Sequence, residues 1–292
     1  MNAVRKAIRC FLAACFFLQI GSAHAGQKSG GTIVPASNEI SFELCGGFLI
    51  VIEGRIAELQ GLKFILDTGA TYSVVDRKVA QKLFLRRHAG RVFSFDKYIP
   101  IERAEFPVVQ FGPIEVHTVS LMVADLGGSS RSGSADVVIG MDLLRASVGI
   151  LIDYERRRIV FGTGTVNHNE VPRPRVSPFL VMQVMIQGRV VRLMVDTGMQ
   201  GILLYEDRLR KEIPNLGVEV ENDKVQVGYL RVKRAKIPGF MVGTAEAERT
   251  VFLMNGPAEN LLPGIDGYLG TGALNAQQVA IDFANNTMAW KE

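Results

Sequence analysis

Apolar runs punctuated by glycine and acidic residues recur along this chain in two matching series. The first is GFLIVIEGRI (residues 47–56), FILDTGA (64–70), DVVIGMDLL (136–144) and GILIDYERRRIVFG (149–162). The second is PFLVMQVMIQGRV (178–190), LMVDTGM (193–199), DGYLGTGAL (266–274) and VAIDFANNTMAW (279–290). Branched and apolar residues dominate Phe48 to Ile56 and Phe179 to Val195, so both stretches predict strands. Glu53-Gly54 and Gln187-Gly188 read as turns of hairpins that lead into the two Asp-Thr-Gly tripeptides. Val74 to Leu85 and Leu203 to Ile213 each predict a strand that ends in a short helix. Gly140 to Leu144 and Gly270 to Leu274 predict short helices after buried strands. Ile150 to Phe161 predicts a closing hairpin that turns at Tyr154 to Arg158.

The offsets between blocks agree as well as their order. Asp67 to Asp153 and Asp196 to Asp282 are both 86 residues, while Asp67 to Gly140 and Asp196 to Gly270 are 73 and 74. Asp67 and Asp196 lie 129 residues apart, a period far longer than that of a solenoid repeat, so the chain reads as a duplicated domain. Residues 163–178, TGTVNHNEVPRPRVSP, contain three prolines and little apolar content, which suits an extended linker. The expected organisation is a lobe over 42–162, the linker over 163–178 and a second lobe over 179–292. Residues 26–41, polar and Gly/Ser-containing, are expected to be a tail or short pro-segment.

Hydrophobic residues make up 48% of the chain, enough for a packed core, and the 30 glycines suit a turn-rich β protein. The N-terminus is set apart from this fold. Arg5, Lys6 and Arg9 precede the apolar stretch Cys10 to Ile20, and Ala23-His24-Ala25 fits a small-residue cleavage site. Residues 1–25 are therefore expected to be a secretory signal peptide, which places the mature chain in the periplasm or outside the cell. Leu12-Ala13-Ala14-Cys15 offers a rival reading, a lipobox that would anchor a lipidated Cys15 to a membrane. The apolar stretch is short for a transmembrane span.

Removing that segment lowers the net charge from +4 to +1 and leaves Cys45 as the only cysteine. Net charge then gives no case for nucleic-acid binding, and no intramolecular disulfide is available. Cys45 is expected to be a small buried apolar residue. His88, His117 and His168 are scattered without metal-ligand spacing. Gly127 to Ser134 is a Gly/Ser loop that lacks the lysine of a phosphate cradle. No Gly-x-Ser-x-Gly elbow occurs. Asp153 and Asp282 are expected in strand-end turns or hairpin contacts, and Asp136 and Asp266 as turn or cap residues. The run Arg156-Arg157-Arg158 reads as a solvated turn.

The chemistry lies in the repeated tripeptide. Ile65-Leu66 and Met194-Val195 bring each aspartate to the end of a buried strand, where a carboxylate must be paired or hydrogen-bonded. Glycine allows close approach of backbone amides, and threonine offers a hydroxyl that can tie the loop to a neighbour. Two such loops facing each other across a pseudo-twofold axis would set Asp67 beside Asp196. Two like charges so close share one proton. The ionised member can then take a proton from water while the protonated member donates to a carbonyl, which is general acid–base amide hydrolysis without a covalent intermediate.

These motifs resemble those of the retropepsin-like and pepsin-like aspartic proteases, in a single-chain, two-lobe bacterial form. The resemblance spans roughly residues 42–292. It rests on Leu66-Asp67-Thr68-Gly69-Ala70, Val195-Asp196-Thr197-Gly198, Val138-Ile139-Gly140-Met141-Asp142-Leu143-Leu144 and Tyr268-Leu269-Gly270. It implies an all-β fold of two homologous β-barrel lobes with short helices and a cleft between them. It implies Asp67 and Asp196 as the catalytic pair, Thr68 and Thr197 as loop-crossing hydroxyls, and Gly69 and Gly198 as loop glycines. A peptide or protein substrate, no metal or organic cofactor, and a monomer follow from the same resemblance. The chain departs from the family at Met199-Gln200, where a small residue is usual. Ala70, Met199 and Tyr229 are expected at the substrate cleft. A covering flap is sought at Phe93 to Ile101 and at Val225 to Val232, with Gly228-Tyr229 as a tip. The expected function is a secreted or periplasmic aspartic endopeptidase, and the alternative is a non-catalytic peptide-binding protein that keeps the fold.

Overall fold

The computed structural model describes residues 38–94, 97–126, 135–162, 171–172, 179–227, 230–243, 245–257, 261–285 and 287–291. The signal segment, Cys15, most of the linker, His168, the Gly127 to Ser134 loop and Tyr229 lie outside the described residues. Within them the chain is mostly strand, in three sheets, with a few short helices. An eight-stranded sheet is built from the first half and a seven-stranded sheet from the second. No described helix is long and apolar enough to cross a membrane.

The two large sheets repeat one connectivity. In the first half, strand Leu59–Leu66 runs parallel to Val137–Ile139, with Leu66 opposite Ile139. In the second, Arg189–Asp196 runs parallel to Gly267–Gly270, with Asp196 opposite Gly270. Strands Val74–Asp76 and Ile202–Tyr205 pair antiparallel on the other side of those central strands. The predicted short helices follow, at Arg77–Lys82 and Glu206–Glu212, and again at Met141–Leu144 and Thr271–Leu274, the last a 3-10 turn. Buried-on-both-sides runs such as Val-Val-Ile at 137–139 explain why these central strands lack alternation.

The third sheet joins the halves. The closing strands Gly149–Asp153 and Gln278–Asp282 pair antiparallel with each other, with Ile150 opposite Ile281. Each also pairs with its own hairpin partner, Arg158–Phe161 or Thr287–Lys291. One continuous apolar cluster containing Ile150, Ile152, Phe161, Val279, Ile281 and Trp290 extends through both halves. The halves therefore share core as well as a sheet, a feature the separate lobe boundaries did not anticipate.

Several local expectations are corrected. The tail ends in a strand, Glu39–Ser41, because it completes the edge of Arg158–Phe161, and Glu39 lies 2.9 Å from Arg158. Val171–Pro172 in the linker pairs with Thr287–Lys291. Glu53-Gly54 is not a turn: strand Leu49–Ile56 runs through it, and the chain reverses at Ala57-Glu58. Gly54 is needed for space, since a Cβ there would lie 2.8 Å from the Phe64 ring and 2.9 Å from the Gln110 carbonyl. Gln187-Gly188 is the turn expected, with both residues at positive φ. Asp136 and Asp266 are not the N-caps of the described helices. Each accepts the N–H of a residue on the neighbouring motif strand, Lys63 at 2.8 Å and Arg192 at 2.9 Å. Asp153 and Asp282 do brace hairpin turns, through the N–H groups of Arg156 and Asn285. Cys45 is half-buried against Phe48, Leu49, Ile65 and Ala135.

Candidate active site

The two Asp-Thr-Gly loops meet. Asp67 and Asp196 are fully buried, and Thr68, Gly69, Ala70, Thr197, Gly198 and Met199 are buried with them. The threonines cross. Thr68 Oγ1 donates to the Val195 carbonyl at 2.9 Å and accepts the Thr197 N–H at 3.0 Å. Thr197 Oγ1 donates to the Leu66 carbonyl at 2.8 Å and accepts the Thr68 N–H at 3.0 Å. Four buried hydrogen bonds thus lock one loop to the other, related as a twofold operation would relate them.

Each carboxyl is held by its own loop. Asp67 Oδ1 accepts the N–H groups of Gly69 and Ala70 at 2.9 and 3.1 Å, and Asp196 Oδ1 accepts that of Gly198 at 2.7 Å. Contact between the two is read from Gly69, where an added Cβ would sit 2.5 Å from both Cγ and Oδ2 of Asp196. The second half's carboxyl therefore rests on the first half's glycine. Asp67 Oδ2 is buried without a geometric hydrogen-bond partner among the described residues. Burial, and after it the charge of Asp196, hold the Asp67 carboxyl well above the usual carboxylate range.

Glycines behind the loops make this approach possible. Gly140 would place a Cβ 2.7 Å from the Tyr72 backbone, and Gly270 would place one 2.2 Å from the Met199 carbonyl oxygen. The Met141 N–H donates to Ala70 O at 2.8 Å, and the Gly270 N–H to Gly201 O at 2.8 Å.

Two supports were not visible in the sequence. In the first half, Ser73 Oγ donates to Asp142 Oδ1 at 2.6 Å and accepts the Gly140 N–H at 2.9 Å, and Asp142 Oδ1 also takes the Ser73 N–H. The equivalent positions in the second half are Ile202 and Gly272, so comparison of the repeats hides the brace rather than revealing it. In the second half, buried Arg208 donates to the carbonyls of Leu262 and Pro257 at 2.6 and 2.8 Å, and to that of Ile265. It thereby fixes the segment that leads into Gly267–Gly270.

Ala70 and Met199 anchor two satellite apolar clusters in matching places. Ala70 packs with Val74, Val92, Ile101, Met122 and Val138. Met199 packs with Leu203, Val232, Tyr268 and their neighbours, and its side chain is fully buried. Val92 and Ile101 belong to the hairpin of strands Arg87–Ser94 and Lys97–Phe111, and Val232 to that of Glu219–Val227 and Leu230–Val242. Hairpins thus run where flaps were sought, and their stems pack on the residue after each Asp-Thr-Gly. Tyr229 lies outside the described residues, so its place at the cleft stays an expectation.

Residues 52–143 match the family model described as aspartyl protease, which covers the first loop and its supporting glycine but not Asp196. A search of curated proteins finds no match. Among solved structures, the aspartic proteinase from Irpex lacteus superimposes with a TM-score of 0.51 at 12% identity, over 88% of this chain and 97% of that one. The fold is that of an aspartic proteinase. The aspartic proteinase fold accounts for the doubled loop, the paired sheets and the shared closing sheet as one arrangement.

The crossing threonines carry a testable energetic consequence. Thr68→Val or Thr197→Val leaves one buried N–H and one buried carbonyl of the opposite loop without partners. Each orphan costs about 1–3 kcal/mol. Either substitution is expected to lower unfolding stability by about 2–6 kcal/mol in urea titration. Thr→Ser, which keeps the hydroxyl, should recover most of that loss. A loss in Ser that exceeds the loss in Val would show that packing of the methyl, not the crossing bonds, holds the loops.

Proposed function

We propose that this protein is an aspartic endopeptidase of the periplasm or cell exterior, using Asp67 and Asp196 as one catalytic pair on peptide substrates. The observation that carries this reading is the contact of the Asp196 carboxyl with Gly69, beneath a crossing Thr68–Thr197 lock. The pair holds one proton. The ionised carboxylate takes a proton from water as the water oxygen attacks the scissile carbonyl carbon. The protonated carboxyl donates to the carbonyl oxygen, which gives a neutral geminal diol. The carboxyl that now holds the proton gives it to the amide nitrogen while the other carboxylate takes a proton from a diol hydroxyl, the C–N bond breaks, and an amine and a carboxylic acid leave the pair singly protonated again. Crossing hydrogen bonds and loop amides hold both carboxyls before substrate arrives, so little reorganisation accompanies the proton transfers.

The alternative, a binding protein without activity, drew on Met199. Its side chain is committed to the second half's apolar cluster, which gives that reading no support. Both hairpin stems reach the clusters beside the pair, consistent with flaps that cover an extended peptide.

The test is cleavage of a mixed peptide library by the purified protein, with Asp67→Asn and Asp196→Asn as parallel samples. Cleavage by the unmodified protein that disappears in both variants is the expected result. Cleavage that survives either variant would remove the shared pair from the mechanism.

The pH profile follows from the same geometry. Neither Ala70 nor Met199 offers a hydroxyl to the ionised pair, and burial already pushes Asp67 upward. A raised pKa keeps the shared proton in place as pH climbs past the ordinary carboxylate range, so the alkaline limb moves up. Activity is expected from mildly acidic to neutral pH. A maximum below about pH 3 would contradict this.

A further inference from the structure

We infer that a basic concavity on the first half's hairpin sheet is a subsite for an acidic side chain of the peptide substrate, an inference that rests on the protease reading above. The cavity has a volume of about 390 Å³ and is lined by Arg86, His88, Arg103, Ala104, Glu105 and Ser120. Its place follows from strand register. His88 lies opposite Arg103, Arg103 opposite Met122, and Glu105 opposite Ser120. Side chains two apart in a strand share a face, so Ile101, Arg103 and Glu105 point the same way, as do His88 and Val92, while Arg86 precedes the strand and lines the cavity beside them.

That face is the one beside the carboxyl pair. Val92, Ile101 and Met122 are buried with Ala70, whose N–H is bonded to Asp67. Tyr72 packs on the same cluster, and the Arg103 guanidinium lies over its ring, 5.6 Å from the centroid. A buried apolar cluster therefore links the Asp67 loop to the strands that carry Arg103, and the cavity opens beyond it on the same strands. Arg103 stands two residues beyond Ile101, about 7 Å further along the strand, so an extended peptide would reach it with a side chain outside the scissile position.

The charges are available. Among the described residues neither Arg86 nor Arg103 makes an ion pair, and Arg103 Nε is buried without a hydrogen-bond partner. The nearby carboxylate of Glu102 points to the opposite face, where Arg77 and Arg87 engage it. Glu105 is the one carboxylate in the lining, so the two guanidiniums leave the cavity net positive. Planar guanidinium groups match a carboxylate in geometry as well as charge, and stacking over Tyr72 limits the freedom Arg103 loses on binding.

The test uses peptides that differ only by Asp or Asn, with the change moved through each position flanking the scissile bond. At one outer position the unmodified protein is expected to favour Asp by about tenfold in kcat/KM, the scale of one charge-assisted hydrogen-bonded pair. Arg86→Gln with Arg103→Met should bring that ratio to about one, and Arg103→Glu should turn the preference towards Lys at the same position. A structural role for Arg103 would lower all peptides together and leave the ratio unchanged, which would overturn the subsite. Absence of any Asp preference would overturn it too. Failure of the protease reading looks different: no peptide is cleaved, or cleavage persists in Asp67→Asn. In that case labelled peptides titrated into Asp67→Asn by fluorescence anisotropy still decide the subsite. Tighter binding of the Asp peptide that is lost in the double arginine variant supports it, and equal affinity refutes it.

Discussion

Asp67→Asn is expected to lower peptide cleavage by about 10²–10⁴-fold and, at the same time, to raise the melting temperature at neutral pH. The loss of rate follows from removing one member of an acid–base pair. The gain in stability follows from the pair's electrostatics. Burial and the charge of Asp196 hold Asp67 above its unfolded pKa. Below the unfolded value, about 3.9, both folded and unfolded chains carry the proton and the substitution changes little. As pH rises from there towards the folded pKa, the folded chain keeps a proton that the unfolded chain has released. Stability is lost across that window, at up to about 1.4 kcal/mol per pH unit. Asparagine does not titrate. Its oxygen can still accept the Gly69 and Ala70 amides, and its NH₂ can donate towards Asp196. The difference in melting temperature between Asp67→Asn and the unmodified protein should therefore be small near pH 4 and grow towards neutrality. A difference independent of pH would mean that neither burial nor Asp196 holds the Asp67 carboxyl above its unfolded pKa. Retained cleavage would mean that Asp67 is not one of the reacting groups.

Much of this arrangement was legible because duplication wrote it twice. Matching offsets from Asp67 and Asp196 to their glycines located both loops, both supporting strands and both short helices. What was written once, or depends on a partner distant in sequence, stayed hidden. The Ser73–Asp142 brace has Ile202 and Gly272 as its counterparts, so the repeat offers no signal for it. The shared closing sheet depends on which edges of Gly149–Asp153 and Gln278–Asp282 face each other, and hydrophobic pattern does not specify that. Gly54 was misread because a glycine in a strand and a glycine in a turn look alike until the Phe64 ring above it is seen. The true turn uses Ala57 at φ 50°, a residue that turn chemistry does not favour. Asp136 and Asp266 were recognised as a pair, but their bonds run to neighbouring strands rather than to local turns.

Gly69→Ala is the second substitution with a large expected effect, and it isolates distance rather than charge. Gly69 is absent from the residues at positive φ, so alanine faces no backbone penalty there. Its methyl would instead lie 2.5 Å from the Asp196 Cγ. Ordinary carbon contacts begin near 3.5 Å, so the carboxyl must retreat by about 1 Å. A misplacement of that size costs about 10²-fold in rate, and the overpacking costs about 1–3 kcal/mol in stability. Both aspartates remain, so lost cleavage cannot be ascribed to a missing acid or base. Gly270→Ala serves as the contrast, because its methyl would meet the Met199 backbone and should unfold the second loop rather than only shift a carboxyl. Adding Asp196→Ala to Gly69→Ala removes the group in the way, so the double variant should regain stability relative to Gly69→Ala alone, a coupling readable in a double-mutant cycle. Additive losses would separate Gly69 from Asp196. Cleavage at the unmodified rate by Gly69→Ala would place the two carboxyls too far apart to share a proton, and the mechanism would then have to be rebuilt around a single aspartate.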